Sequence, residues 1–297
     1  MGRLPSEDTP RSSRVRTARH QSALGWWEMS FADPHPMLSS YVRAYCGWEE
    51  EPATLLWRVE PPGPDIPVII LFASPVLSPE GADATAVKPF GSFVAGLWDH
   101  HAIVGSRGRM AGVQVNFSPL GARLLLNQPL AAFANRMVEL DDVWGGEARR
   151  LAARLEEAQG WERRFAILDA EIAARIARAR PLHEVLHWTI DRLMDTRGQV
   201  RVDALVKESG WSKRHLIARV RDEFGLTPKT LGRVLRLGQA VEVLRQGGEA
   251  RLAEVAADCG YYDQAHFTRD FREFTGMTPG AFLKSRLPDA GGVSPGR

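Results

Sequence analysis

The chain has 297 residues, 44% hydrophobic and 25% charged, with a formal net charge of +2. That length suits two domains with separate cores, and the composition is ordinary for a soluble globular protein. With Cys46 and Cys259 as its only cysteines, a disulfide framework or a four-cysteine zinc site is excluded. No apolar run approaches the roughly 20 residues that span a bilayer, and no signal-peptide core follows the N-terminus. A reducing, cytoplasmic location with no membrane partner is expected.

In chain order, residues 1–22 place Arg3, Arg11, Arg14, Arg16 and Arg19 among Ser, Thr and Pro, the composition of a disordered basic tail. From Trp26 to Phe117 short apolar runs are broken by Gly and Pro. Strands are predicted over 55–59, 68–73, 93–98 and 110–117; the second is almost continuously apolar and belongs at the centre of a sheet. Several short strands at this spacing suggest a small β-barrel or sandwich. Pro119 opens a helix over 122–126, and a second covers 129–133. Longer helices follow over 147–159 and 161–180, with Leu151, Leu155, Phe165, Leu168, Ile172 and Ile176 at apolar spacing. This helical part, 147–180, closes an N-terminal sensor or dimerisation domain of 23–180 and offers a dimer surface. Pro181 marks the boundary. An amphipathic helix over 182–194, with Leu186, Ile190 and Leu193 on one face, opens a second domain of 181–287, and 288–297 is a Gly/Pro/Ser tail, expected to be disordered.

The second domain contains one helical unit written twice. Gly210-Trp211-Ser212 recurs as Gly260-Tyr261-Tyr262, His215-Leu216 as His266-Phe267, and Gly225-Leu226-Thr227-Pro228 as Gly276-Met277-Thr278-Pro279. Each copy has a short Ala/Val-rich helix (202–209 and 252–259), a glycine turn and a second helix with a variable polar face, which is the helix-turn-helix plan. Ser212 and Asp263 are the helix caps, while Leu216, Val220, Phe267 and Phe271 anchor the second helices. A helix over 229–245, with Leu231, Leu235, Val241 and Leu244 turned inward, joins the units. It is a spacer able to hold two reading helices about 34 Å apart, one turn of B-DNA. The fold class is therefore α+β with two domains: a small β-barrel or sandwich with helices, then an all-α domain of two helix-turn-helix units. Residues 199–286 carry an excess of Lys and Arg over Asp and Glu, which suits double-stranded DNA.

The run from Gly260 to Arg272, Gly260-Tyr261-Tyr262-Asp263-Gln264-Ala265-His266-Phe267-Thr268-Arg269-Asp270-Phe271-Arg272, followed by Thr275-Gly276-Met277-Thr278-Pro279, resembles the C-terminal signature of the AraC/XylS transcription regulators. The resemblance covers 182–286. It implies sequence-specific binding at promoters or operators and contact with RNA polymerase. By position, base-reading roles fall on Lys213, Arg214 and Ile217 in the first reading helix and on Gln264, His266, Thr268 and Arg269 in the second. Ser212, Arg219, Arg221 and Arg272 are the expected phosphate contacts. The family commonly has Arg two positions after the first anchor Leu; here Ala218 stands there and Arg219 is one place on, a rotation of about 100° toward phosphate. The N-terminal half resembles sensor-like domains of some members, through His35-Pro36, Tyr41-Val42-Arg43, Arg58 and Phe117-Ser118-Pro119-Leu120-Gly121-Ala122.

Other constellations in the chain compete with these. Trp48, Trp57, Arg58 and Trp98 are candidates to line a small-molecule effector pocket, although aromatic residues equally fill a barrel core and Arg58 suits an outward-facing strand position. Asp99-His100-His101 lacks metal-ligand spacing, because adjacent strand residues face opposite ways; no metal or other cofactor is expected. No Ser-His-Asp, P-loop or HExxH pattern occurs, and the chain is not expected to be an enzyme. The alternative function is a DNA-targeted methyl-accepting repair protein, which requires an activated cysteine such as Cys46. A homodimer is compatible with either reading but not required, since one chain already carries two reading helices.

Overall fold

The strand Ile66–Leu71 (β5) shows how the N-terminal half is assembled. In the computed structural model, which describes residues 14–79, 86–246, 251–287 and 292–295, its alternate side chains serve two different surroundings. Ile66, Val68 and Ile70 join the main core, whereas Pro67 and Ile69 face a cavity. A strand covered on both sides carries a continuous apolar run, which is why it was readable. The same division applies to β10 (Met110–Phe117). Its Val113, Val115 and Phe117 are core residues, and its Met110, Gln114 and Asn116 line the cavity.

Around these two strands lies an antiparallel seven-stranded sheet. With β1 (Arg16–Ser22), β2 (Gly25–Ala32), β3 (Val42–Pro52), β8 (Phe93–Ala95) and β11 (Met137–Glu139), its order is β1-β2-β3-β10-β5-β8-β11. A second sheet has β4 (Leu56–Glu60), β6 (Val76–Pro79), β7 (Val87–Phe90) and β9 (Ala102–Ser106) in the order β4-β9-β6-β7. Leu71, Val76, Phe90, Phe93 and Met110 make a small apolar cluster drawn from both sheets.

Helices cover the other face of the larger sheet. α1 (Pro119–Leu126) is capped by Ser118, whose hydroxyl accepts from the Gly121 N–H at 3.1 Å, and has Pro119 in its first turn. A 3₁₀ turn (Leu130–Phe133) follows, then α2 (Leu140–Trp144), α3 (Gly146–Glu157) and α4 (Trp161–Ala177). The apolar side chains of α3 and α4, Leu151, Leu155, Phe165, Leu168 and Ile172, are buried in the chain's own core, and the Phe165 ring stacks on Tyr45 of β3 at 5.3 Å. The apolar stripe of these helices is thus used within the chain.

The C-terminal half is helical: α5 (Glu184–Asp195), α6 (Val202–Ser209), α7 (Lys213–Phe224), α8 (Pro228–Gln246), α9 (Leu252–Asp258), α10 (Gln264–Thr275) and α11 (Pro279–Lys284). The expected helices are all present, shifted by a residue or two at their ends.

Two expectations about the termini are corrected. Residues 16–22, placed in a disordered tail by composition, form β1, paired with β2 from Arg16↔Phe31 to Ser22↔Gly25. An edge strand needs backbone partners more than apolar side chains, so composition missed it. Within the expected C-terminal tail, Val293 is 1% exposed and bridges Arg286. The remaining tail positions, 1–13, 288–291 and 296–297, lie outside the described residues. The strand expected over 93–98 ends at Ala95, and strands β2, β3, β6, β7, β9 and β11 had no counterpart in the sequence reading.

Candidate nucleic-acid interface

Both helix-turn-helix units are built from the same local chemistry. In the first, Gly210 takes φ +70°, the left-handed conformation a residue with a Cβ resists, and turns the chain out of α6. Ser212 Oγ then accepts from the His215 N–H at 3.3 Å and starts α7. In the second, Gly260 takes φ +74° and Asp263 Oδ1 accepts from the His266 N–H at 2.6 Å. Leu216 and Val220 bury α7, and Phe267 and Phe271 bury α10 at equivalent places; Phe224 of α7 and Phe274 of α10 are buried too, one position apart in the repeat. Each reading helix ends on a left-handed glycine, Gly225 and Gly276.

The first turns of both helices stay open. Lys213, Arg214, Ala218 and Arg219 of α7 are exposed, with Ile217 half-buried; Gln264, Ala265 and Arg269 of α10 are exposed, with Thr268 half-buried. Arg221 and Arg272 are exposed in the last turns. Two expected readers are engaged elsewhere. Lys213 Nζ pairs with Asp203 of α6 at 2.9 Å, and that contact holds the Asp203 carboxyl below its usual range. The His266 ring lies edge-on to Tyr261 at 5.4 Å, accepts from the Tyr262 N–H at 3.4 Å and has Nε2 3.8 Å from Asp270 Oδ1. It is held against the turn of its own unit.

One positioning group escaped the sequence reading. Arg233 of α8 reaches Asp270 through Nε at 3.3 Å and Nη2 at 3.0 Å, and Glu273 through Nη2 at 2.6 Å, with its guanidinium 4.6 Å from the Phe274 ring. Hydrogen bonds to Glu273 and Asp270 hold its pKa above the usual arginine value. A charged residue inside an apolar helix, answered by a carboxylate at a core-facing position of α10, was the available signal. The spacer α8 has 19 residues, about 28 Å of rigid helix.

Behind the reading helices lies a cavity of about 1440 Å³, shared between the two halves. Trp48, Trp98, Met110 and Met137 contribute apolar walls from the N-terminal side; Leu235, Gln239, Val241 and Arg245 come from α8. Of the four sequence-predicted pocket residues, Trp48, Arg58 and Trp98 line it, and Trp57 does not; the Trp57 ring stands over Gly105 instead. Arg58 is not an outward-facing charge. It is 9% exposed and grips Glu50 through two bonds, at 3.2 and 2.5 Å, and Ser106 Oγ at 2.7 Å. Two further carboxyls look into the cavity. Burial pushes Asp65 up to about 6, against the pull of Arg43 and with a push from Glu242, and burial raises Glu60 despite Arg245 and Arg58. The segment after α11 completes the wall: Val59 N–H donates to Val293 O at 2.7 Å, Ser294 N–H to Ser285 O at 2.8 Å, and Arg286 Nη1 to Leu244 O at 3.1 Å.

The other candidates are less favourable. Burial pushes the Cys46 thiol up to about 12; burial and then the Asp258 charge push Cys259 up to about 11. Neither is an activated thiolate, the species methyl acceptance requires. His100 is exposed beside Asp99, while His101 packs on Gly276. Among the described residues no group of three His, Cys, Asp or Glu is placed to hold a metal ion, and no helix is long and apolar enough to cross a membrane.

A helix-turn-helix domain family model matches residues 205–285. The probable transcription factor PqrA of Proteus vulgaris is 29% identical over 109 residues, 36% of this chain and 88% of PqrA. The HTH-type transcriptional activator RhaS of Escherichia coli is 33% identical over 101 residues, 34% of this chain, which spans about a third (35%) of RhaS. Among solved structures, ToxT from Vibrio cholerae aligns over 80% of this chain and 96% of its own, with 9% identity and a TM-score of 0.47. The C-terminal domain of AraT, a response regulator from Geobacillus stearothermophilus, aligns over 38% of this chain and 93% of its own, with 19% identity and a TM-score of 0.35. Residues 205–285 thus form a helix-turn-helix domain, similar in sequence to the matching part of these transcription factors.

Proposed function

We propose that this chain binds promoter or operator DNA by setting α7 and α10 into successive major grooves on one face of the duplex. The observation that carries the reading is the doubled unit itself: two capped helices at equivalent places, each with an exposed polar first turn. Base reading falls to Arg214 and Ile217 in α7, with Lys213 once Asp203 lets it go, and to Gln264, Thr268 and Arg269 in α10. Gln suits adenine, Arg suits guanine and an apolar side chain suits the thymine methyl. Ser212, Arg219, Arg221 and Arg272 hold phosphates. His266 is withdrawn from the readers, because its ring is occupied within its own unit.

The shared cavity supports effector control. Its walls belong to both halves, so a small molecule bound there touches the spacer between the readers as well as the N-terminal sheets. RNA polymerase is the expected protein partner, and a monomer is sufficient for two-groove binding. The test is binding of the full chain to DNA upstream of its own gene across a salt series, with sedimentation in parallel. Site-selective, steeply salt-dependent binding supports the reading. Equal affinity for that DNA and for random duplex at every salt concentration overturns it.

A further inference from the structure

The two glycines that end the reading helices are equivalent positions of the repeat, and both are contact points for the N-terminal half. At Gly225 an added Cβ would lie 2.5 Å from Ala134 Cβ and 3.2 Å from Ala131 Cα; at Gly276 it would lie 2.9 Å from His101 Cε1. Beside the first contact, Arg123 of α1 bonds Glu223 of α7, with side chains only 11% and 13% exposed. Such a pair, removed from water, is sensitive to geometry, because moving one partner leaves the other poorly compensated. The contacts fall at the C-terminal ends of α7 and α10, and the exposed first turns point away from them. The N-terminal half therefore grips the readers from behind without covering the surface that meets DNA.

We infer that this two-point grip sets the spacing specificity of the regulator, with Arg123 and His101 as positioning residues. Alone, α8 joins the units through a single helix, which starts just after Gly225 and holds α10 through Arg233. Fixing the C-terminal end of each reading helix to the N-terminal half as well closes the frame, and α7 and α10 then turn together. Such a closed frame accepts two half-elements in one rotational register. Inserting a single base pair turns one element by about 34° relative to the other. A frame tied at one side follows that rotation; a closed one does not.

This inference rests on the two-groove reading, and the experiment separates the two. Full-length protein is titrated against a duplex carrying its selected site, and against the same site with one or two base pairs inserted between the half-elements. The wild type is expected to lose tenfold or more on insertion. Arg123→Met with Glu223→Met, and separately His101→Ala, are expected to keep the native site within about threefold while the insertion penalty falls to about threefold or less. A penalty unchanged in both variants overturns the inference and leaves two-groove binding standing. A wild type with no insertion penalty also overturns the inference, whereas equal affinity for the selected site and for random duplex overturns the two-groove reading on which it rests. Partial unfolding lowers active protein equally on every duplex, so the penalty ratio is insensitive to it, and Arg123→Glu with Glu223→Arg is expected to restore the wild-type ratio.

Discussion

Arg269 and Arg272 lie three positions apart on α10 and are exposed alike, yet they are expected to fail differently. Replacing Arg269, in the first half of the helix, by Ala is expected to cost about 1–3 kcal/mol at one base position and to relax preference there. Arg272→Ala is expected to weaken all sequences alike and to reduce the salt slope by about one. Titrations on the selected site, single-base variants and random duplex decide this; equal losses everywhere for Arg269→Ala would remove it from the base readers. A second residue-scale expectation concerns Asp65. Its carboxyl is raised to about 6 in the folded chain, mainly by burial. Because the folded value exceeds the unfolded value near 4, the group favours folding when protonated. That contribution is present below about pH 4 and is lost as pH rises through about 6, on the order of 2 kcal/mol. Asp65→Asn should therefore gain stability over wild type between pH 4 and 7. A difference in unfolding free energy that stays constant across that range would rule the effect out.

At the scale of elements, local chemistry and long-range packing contributed to legibility in different ways. The helices of the helix-turn-helix domain were readable because each is announced by its own residues: Ser212 and Asp263 as caps, Gly225 and Gly276 as stops, and aromatic or aliphatic anchors four apart. β3 was not, since its Arg43, Cys46, Trp48 and Glu50 face a cavity lined by both apolar and charged residues and erase the simple apolar alternation. Trp48, Arg58 and Trp98 were found as candidates because aromatic and charged residues stood out in strand-like segments. Asp65, Glu60 and the α8 wall were not, because the cavity exists only where two distant segments meet. The Arg233–Asp270 bond is another long-range device, and it fixes α10 on α8. Arg233→Met is expected to destabilise the chain by roughly 1–3 kcal/mol by leaving the Asp270 carboxylate with less compensation. Asp270→Leu in the same chain should recover part of that. A pair of thermal melts checks it: no recovery in the double variant means the bond is not the cause.

For the whole molecule, reader, spacer and cavity form one connected body, and the sequence held the identity of the reader more openly than the coupling. A duplicated motif is visible in one dimension; the packing of Gly238 on Pro64, or of Gly225 on Ala134, is visible only in three. The bond from Val59 to Val293 has a consequence in time. Residue 293 leaves the ribosome after both helix-turn-helix units, so the reading surface is complete before the chamber behind it is closed. Joining segments so distant along the chain is entropically slow. The chamber is expected to be the last part to assemble and the first to open. Native-state hydrogen exchange gives the check: the Val59 amide should exchange well before that of Val113 in β10, and equal protection of the two would contradict this order.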